Sequence, residues 1–460
     1  MKKPCSKTLA AAESAKITVI GGGIAGITAA HELAVAGHEV SLVESSERLG
    51  GLGTYFDWNG HWIDKFYHCQ MPSDDDLLQL IDDLGISDRM YWKQTRMGFL
   101  VGNKRFAFNG ALDLLKFSPL TFLERIRFGV VSLLLRQLGK GKDLDHMRIE
   151  DWLSGIYGKS IWEKLLKPLF VSKFGPAAGD MPALYIWERL GREKNTASRG
   201  YLKSGLKFFL DTAEARLKDL GVEVIKEAKV SSIDEVGDGV IITTLHDQRK
   251  IVGDWCISTI PLPLLQHVLD GTSLEEKVRI PDVPYQGVVN AMFFLKRPLD
   301  NYYWAPVMGC GTEFDGIVEM TELIETGHYA GHHCAYVMKY CDRNCDLFQE
   351  DEKSIALRWK QQLIDLYPDL QLTTADIEDV QVFKAPFVEP AYPLGYSEKK
   401  PAINENGNRL FLATSAQVYP RITAWNSSCW MAKNVVRELT ERMAAEAGNR
   451  SGARSVVSIS

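Results

Sequence analysis

The chain has 460 residues, 45% hydrophobic and 24% charged, an ordinary composition for a globular protein and too long for a single core, so two domains are expected. A net charge of −6 argues against nucleic acid as the main partner. The longest apolar run, Phe128 to Leu135, has eight residues, too few to span a bilayer.

Residues 1–15 read as a flexible leader, because the apolar stretch Leu9 to Ala12 is shorter than a signal-peptide core and Glu13 interrupts it. Lys16 to Ile20 then reads as a buried parallel strand, β-branched and apolar. Gly21, Gly23 and Gly26 follow with G-x-G-x-x-G spacing. The first permits a tight turn, the second lets a pyrophosphate approach the backbone, and the third brings a helix close to the sheet. That helix, Ile24 to Ala36, turns its positive end and its first residues, Ile24 and Ala25, toward the phosphates. The next strand, Glu39 to Val43, is followed by Glu44, 18 residues past Gly26, where a carboxylate accepts from both ribose hydroxyls and repels a 2′-phosphate. Strand, glycines, helix and acid together predict a dinucleotide site. The alternative is a glycine-rich turn in an α/β fold without a ligand.

Glu44-Ser45-Ser46-Glu47-Arg48-Leu49-Gly50-Gly51 continues with an arginine and a glycine pair. This run resembles the second fingerprint of the flavoprotein group that contains amine oxidases, protoporphyrinogen oxidases, phytoene desaturases and UDP-galactopyranose mutases. The resemblance implies FAD rather than NAD, with Arg48 neutralising phosphate and Gly50-Gly51 presenting backbone amides. For Arg48 the plainer reading is a solvated surface charge.

Further along, Tyr55 to Asp64 alternates around Asn59-Gly60 as a hairpin does. The resemblance turns the following segment under the flavin, so Asp64, Tyr67 and His68 could face cofactor or substrate. His68 is the one catalytic candidate, as hydrogen-bond donor or acid/base; it could equally satisfy a buried carbonyl. Ser73 to Leu84 reads as a capped helix and 90–110 as two or three short strands. From Ala111 to Leu190 the pattern is helical, with Phe117 to Leu120, Arg125 to Leu138 and Glu150 to Tyr157 as successive helices, rich in aromatics that could cap a substrate cavity or simply pack a core. Phe128 to Leu135, flanked by basic residues, could rest weakly on a membrane surface; ordinary packing is the alternative.

A glycine turn, Gly200 to Gly205, precedes the helix Leu206 to Asp219. The strands that follow end in Ser258-Thr259-Ile260-Pro261, which resembles the group's middle cofactor segment. That implies the backbone of Val230 holding the adenine and Pro261 ending a strand near the cofactor. Residues 285–345 are strand-rich and predict the second domain's sheet. Because some amine-oxidase relatives place a lysine near flavin N5, Lys296 and Lys339 are candidates, though each reads as well as an edge lysine. In the last part, Asn408 to Ala413 is a strand, then Thr414-Ser415 stands where the group has Gly-Asp or Gly-Glu. The resemblance implies Ser415 on a ribityl hydroxyl, more weakly than a carboxylate, with Thr423 in the same cofactor segment. The Ala416 to Pro420 run resembles protoporphyrinogen-oxidase-like members.

The expected fold is α/β: a Rossmann-like FAD-binding domain built from discontinuous segments (16–84, 201–284, 401–445) plus an inserted α+β substrate domain (a helical cap, 85–200, and a sheet, 285–400), with a disordered tail over 446–460. The expected activity is FAD-dependent oxidation or desaturation of a small-molecule substrate by hydride transfer to flavin N5. Two alternatives stay open: a non-redox reaction on a nucleotide sugar, with Arg421 as one candidate, and a flavin-binding protein without catalysis. Eight scattered cysteines fit reduced cytoplasmic thiols. Cys341 and Cys345, with Cys334 nearby, lack a second matching pair, so no metal site is expected.

Overall fold

In a computed structural model, which describes residues 14–102, 104–192, 198–237 and 239–457, three separated stretches of chain build one parallel sheet. Its strand order is Leu410–Leu412, Trp255–Ser258, Lys16–Ile20, Glu39–Val43 and Glu223–Ile225, with every neighbouring pair parallel. Each of the three expected FAD segments supplies at least one strand. The continuous apolar runs are explained by burial on both faces. Ile17, Val19, Leu42 and Ile257 pack in one core cluster, while Ile20, Val43 and Cys256 pack in another.

One face is covered by two helices, Ile24–Val35 and Trp425–Val457. Ala29 and Ala30 of the first share a core with Ala432 and Val435 of the second, and Thr28 Oγ1 lies 3.4 Å from Cys429 Sγ. Small side chains allow that approach. The closing helix runs on to Val457, where a disordered tail is expected. The expected leader falls on residues that lie, except for 14 and 15, outside the described ones.

A seven-stranded sheet forms the second body of the fold. Its order is Ile377–Pro390, Tyr285–Leu295, His333–Asp342, Gly316–Glu319, Trp304–Met308, Gly98–Val101 and Lys104–Ala107. The strand Tyr285–Leu295 is buried throughout, and its side chains alternate between two cores with the strand period of two. Val289, Ala291, Phe293 and Leu295 pack with Trp359 of the helix Glu352–Leu366. Val288, Met292 and Phe294 pack with Trp58 and Ile63 of the hairpin Tyr55–Trp58/His61–Asp64. The sheet therefore presses one face against the segment that follows the glycine pair.

The helical region is bracketed by a ribbon in which Met90–Gln94 pairs antiparallel with Ser198–Leu202. Its helices include Ala111–Lys116, Phe122–Gly139, Ile149–Tyr157, Lys167–Phe174 and Ala183–Arg192. The helix expected over Phe117 to Leu120 is a connection instead. Pro119 disfavours helix at the residue before it, and Thr121 starts the next helix with a capping box to Glu124.

Candidate functional site

The cradle begins where the first strand ends. Gly21 donates to Val43 O at 2.8 Å with φ of +100°, a conformation that favours glycine. A Cβ on Gly26 would stand 1.8 Å from Gly21 O, so only glycine lets the helix start there. Gly50 donates to Gly22 O at 2.8 Å and bridges Gly23, while a Cβ on Gly51 would come 3.1 Å from Gly23 Cα. The two glycine runs thus meet backbone to backbone, with Ile24 and Ala25 opening the helix directly behind them.

Glu44 is buried and fixed: its Oε2 accepts from Gly22 N at 2.7 Å and its Oε1 from Ser46 N at 2.7 Å and Ser45 Oγ at 3.1 Å. Oε1 thus has both lone pairs engaged, and Oε2 retains acceptor capacity for a ribose hydroxyl. Arg48 faces the hairpin Tyr55–Trp58/His61–Asp64. Its guanidinium pairs with Glu47 at 3.0 Å and lies over the rings of Tyr55 and Trp62 at 5.0 and 5.6 Å.

The middle segment meets the cradle through Thr259, a member of the Ser258 to Pro261 run with no role of its own expected there. Thr259 Oγ1 donates to Ile20 O at 2.9 Å and lies 2.4 Å from where a Gly21 Cβ would be. Pro261, two residues on, instead caps the helix Leu262–Leu269; the strand has already ended at Ser258. Val230 opens the antiparallel strand Val230–Val236, and a bulge interrupts the ladder between Val230 and Ser232.

In the third segment, Ser415 opens a short turn of helix, Ser415–Val418. Its carbonyl accepts from Tyr392 Oη at 3.3 Å, and Thr423 Oγ1 lies 3.3 Å from the same hydroxyl. The two are thereby joined through one tyrosine. Trp425, which no motif announces, ties this segment to Gly53, two residues past the glycine pair: a Cβ on Gly53 would fall 2.3 Å from its ring. It begins the closing helix, while the N-terminus of the helix Ile24–Val35 adjoins the cradle, an arrangement suited to an anionic pyrophosphate.

His68 packs on the other side of Trp425, with ring centroids 4.7 Å apart. Its Nδ1 lies 2.8 Å from Phe66 O, so Nδ1 carries the proton and donates. Burial pulls the imidazole down to about 4. At neutral pH it is uncharged and offers Nε2 as an acceptor, not as an acid. Next to it Tyr67 Oη lies 3.4 Å from Lys173 Nζ, and Lys173 lies 5.5 Å over the Tyr340 ring. His68, Tyr67 and Lys173 are each partly exposed and, with Tyr340 and Trp425, form one wall of polar and aromatic side chains. Desolvation disfavours charge on Lys173, but Tyr340, Tyr67 and Glu389 outweigh it and hold the ammonium charged. Glu389, pushed up by burial against the pull of Lys173, accepts from Tyr185 Oη, whose oxygen is also 3.4 Å from Thr423 N. A polar chain thus runs from the third cofactor segment to the large sheet.

Asp64, behind this wall, accepts from Tyr201 Oη at 2.8 Å and has a second, buried oxygen without a partner; burial raises its carboxyl to about 7. The other lysine candidates are engaged elsewhere: Lys339 pairs with Asp315 at 2.5 Å and Lys296 with Glu378 at 3.4 Å. Arg421 stacks on Trp430 at 3.8 Å. Cys334 and Cys341 pack in different core clusters on either side of the same strand, which prevents them from sharing one ion.

A model of the flavin containing amine oxidoreductase family matches residues 24–420. The chain belongs to that family. Membership carries with it the cofactor, FAD; the cradle fits it, since the adjoining Gly23 and Gly51 leave the backbone bare and Glu44 stands beside it. The chain is similar to 15-cis-phytoene desaturase of Narcissus pseudonarcissus, 31% identical over 67% of this chain and 61% of that protein. It is also similar to the Capsicum annuum desaturase, 24% identical over 67% and 60%, and to a putative flavin-containing monoamine oxidase of Mycobacterium tuberculosis, 26% identical over 53% and 56%. It spans only about six-tenths of the length of the desaturases it matches. Among solved structures it resembles a putative protoporphyrinogen oxidase from Exiguobacterium sp. 255-15, with 17% identity, TM-score 0.74, and 93% and 99% of the two chains covered. A reduced UDP-galactopyranose mutase gives 16% identity, TM-score 0.72, and 93% and 96% coverage. At these identities the likeness concerns the fold alone.

Proposed function

We propose that the protein oxidises or desaturates a small organic substrate, removing hydride from a C–N or C–C unit. FAD, when bound, supplies the hydride acceptor. The protein's own residues bind and orient. The observation behind this is Trp425, which touches both Gly53, just past the glycine pair, and His68 of the polar and aromatic wall. On that wall Lys173 and Tyr67 present a cation and a hydroxyl for a polar group of the substrate, while Tyr340 and Tyr336 give an apolar surface that excludes water. His68, neutral, accepts a hydrogen bond at Nε2. The buried thiols Cys256 and Cys429 are pushed up to about 12 by burial, which argues against thiolate chemistry at those two positions.

The test is anaerobic titration of the purified flavoprotein with amines and with polyunsaturated compounds. The reading expects loss of the oxidised-flavin absorption with one of these classes. It also expects Lys173→Met to retain flavin while weakening substrate binding by about tenfold or more, the scale of one lost charged hydrogen bond. A flavin that dithionite reduces and none of these compounds does, with turnover only from the reduced state and no net oxidation, would instead support the nucleotide-sugar reaction.

A further inference from the structure

We infer that the outer face of the helix Phe122–Gly139, with the short helix before it, docks on the surface of an anionic lipid bilayer. The helix is amphipathic in the reverse sense to an ordinary surface helix. Leu123, Ile126, Val130, Leu133 and Leu134 are exposed. Their spacing places them on one face, over about 16 Å of helix. Leu133 is 83% and Leu123 77% exposed, whereas within the helix only Leu135 and Gly139 are buried. Leu112 and Leu115 of the helix Ala111–Lys116 extend the patch. Of the 17 large apolar side chains exposed among the described residues, eight lie between 112 and 134. Such a concentration marks an interaction surface.

The arginines of this helix fold the other way. Arg125 donates to Leu120 O at 3.0 Å, Arg127 to Ile156 O at 3.0 Å and Arg136 to Trp187 O at 3.0 Å. The charged heads grip the protein and form a basic rim, and the leucines are left outward. Residues 111–142 hold six basic and two acidic side chains in a chain of net charge −6, and Lys116, Lys140 and Lys142 of the rim are exposed. Greasy centre and positive rim complement an anionic membrane surface. They do not complement a second copy of the same patch, since a two-fold contact would set one basic rim against the other. No helix among the described residues is long and apolar enough to cross a membrane, so the contact is with the surface.

The experiment is sedimentation of the full protein with vesicles of phosphatidylcholine alone and of phosphatidylcholine with phosphatidylglycerol. Binding is expected to the anionic vesicles, weakened by salt. The double variant Leu123→Glu, Leu133→Glu should lose more than about tenfold in partition, as two leucines leaving an apolar medium require, while its flavin content and melting temperature stay unchanged. Absence of binding to either vesicle, binding that the double variant retains, or a protein dimer that this variant dissociates would each overturn the inference. Because the assay does not read oxidation, it stands or falls apart from the proposed reaction.

Discussion

Gly26 shows how far one hydrogen can decide a site. Replacing it by alanine drives a methyl into Gly21 O, where backbone cannot move aside. Gly26→Ala is therefore expected to cost about 1–3 kcal/mol of stability and to leave the purified protein depleted of flavin, as its absorbance at equal protein concentration would show. Asp64 makes a second prediction. Its carboxyl is raised from 3.8 to about 7 in the folded state, so the folded protein binds more protons than the unfolded chain between those values. The stabilisation it gives is complete below pH 3.8 and is lost as pH rises through about 7. Asp64→Asn, which keeps an acceptor for Tyr201, should flatten the fall in melting temperature between pH 5 and pH 8; an unchanged slope would show that Asp64 is not the group responsible. At this scale the glycines and Glu44 were legible in the sequence, because their roles depend on spacing within one strand-helix-strand unit. Thr259, Trp425 and Lys173 were not. Each acts on a partner far along the chain, and nothing local distinguishes Lys173 from any lysine between two aromatics.

Among elements, the ones read most faithfully are those with strong local chemistry: the opening strand, the hairpin at Asn59-Gly60 and the helix before Gly85. The closing helix outran its expected end at Ala445, because polar composition suggested disorder while helix-forming alanines and arginines continued. The Ala183–Arg192 helix is the element that links cap and cofactor segment. From it Tyr185 donates to Glu389 on the sheet strand Ile377–Pro390 and meets Thr423. Tyr185→Phe removes that donor from a buried carboxyl and is expected to destabilise by about 1–3 kcal/mol, measurable by urea unfolding. A change of only a few tenths would mean that the charges of Lys173 and Arg189 compensate Glu389 without the tyrosine.

For the whole molecule, a parallel sheet stitched from three segments makes cofactor and fold interdependent. The strand Leu410–Leu412 reaches its neighbour Trp255–Ser258 from more than 150 residues away in sequence, and the cradle is complete only when both have docked. A ligand bound to the folded state alone raises stability by about 2.7 kcal/mol at a hundredfold excess over its Kd. Added FAD should therefore raise the melting temperature of stripped protein in a concentration-dependent way, and NADP should not, since a carboxylate at Glu44, the expected ribose ligand, repels a 2′-phosphate. The most direct measurement is the absorption spectrum of the purified protein, with the mass of the cofactor released on denaturation. An oxidised-flavin spectrum with the mass of FAD, diminished in Gly26→Ala, is the predicted result. A colourless protein that takes up no added FAD, or a variant that holds flavin as well as the parent, would contradict it.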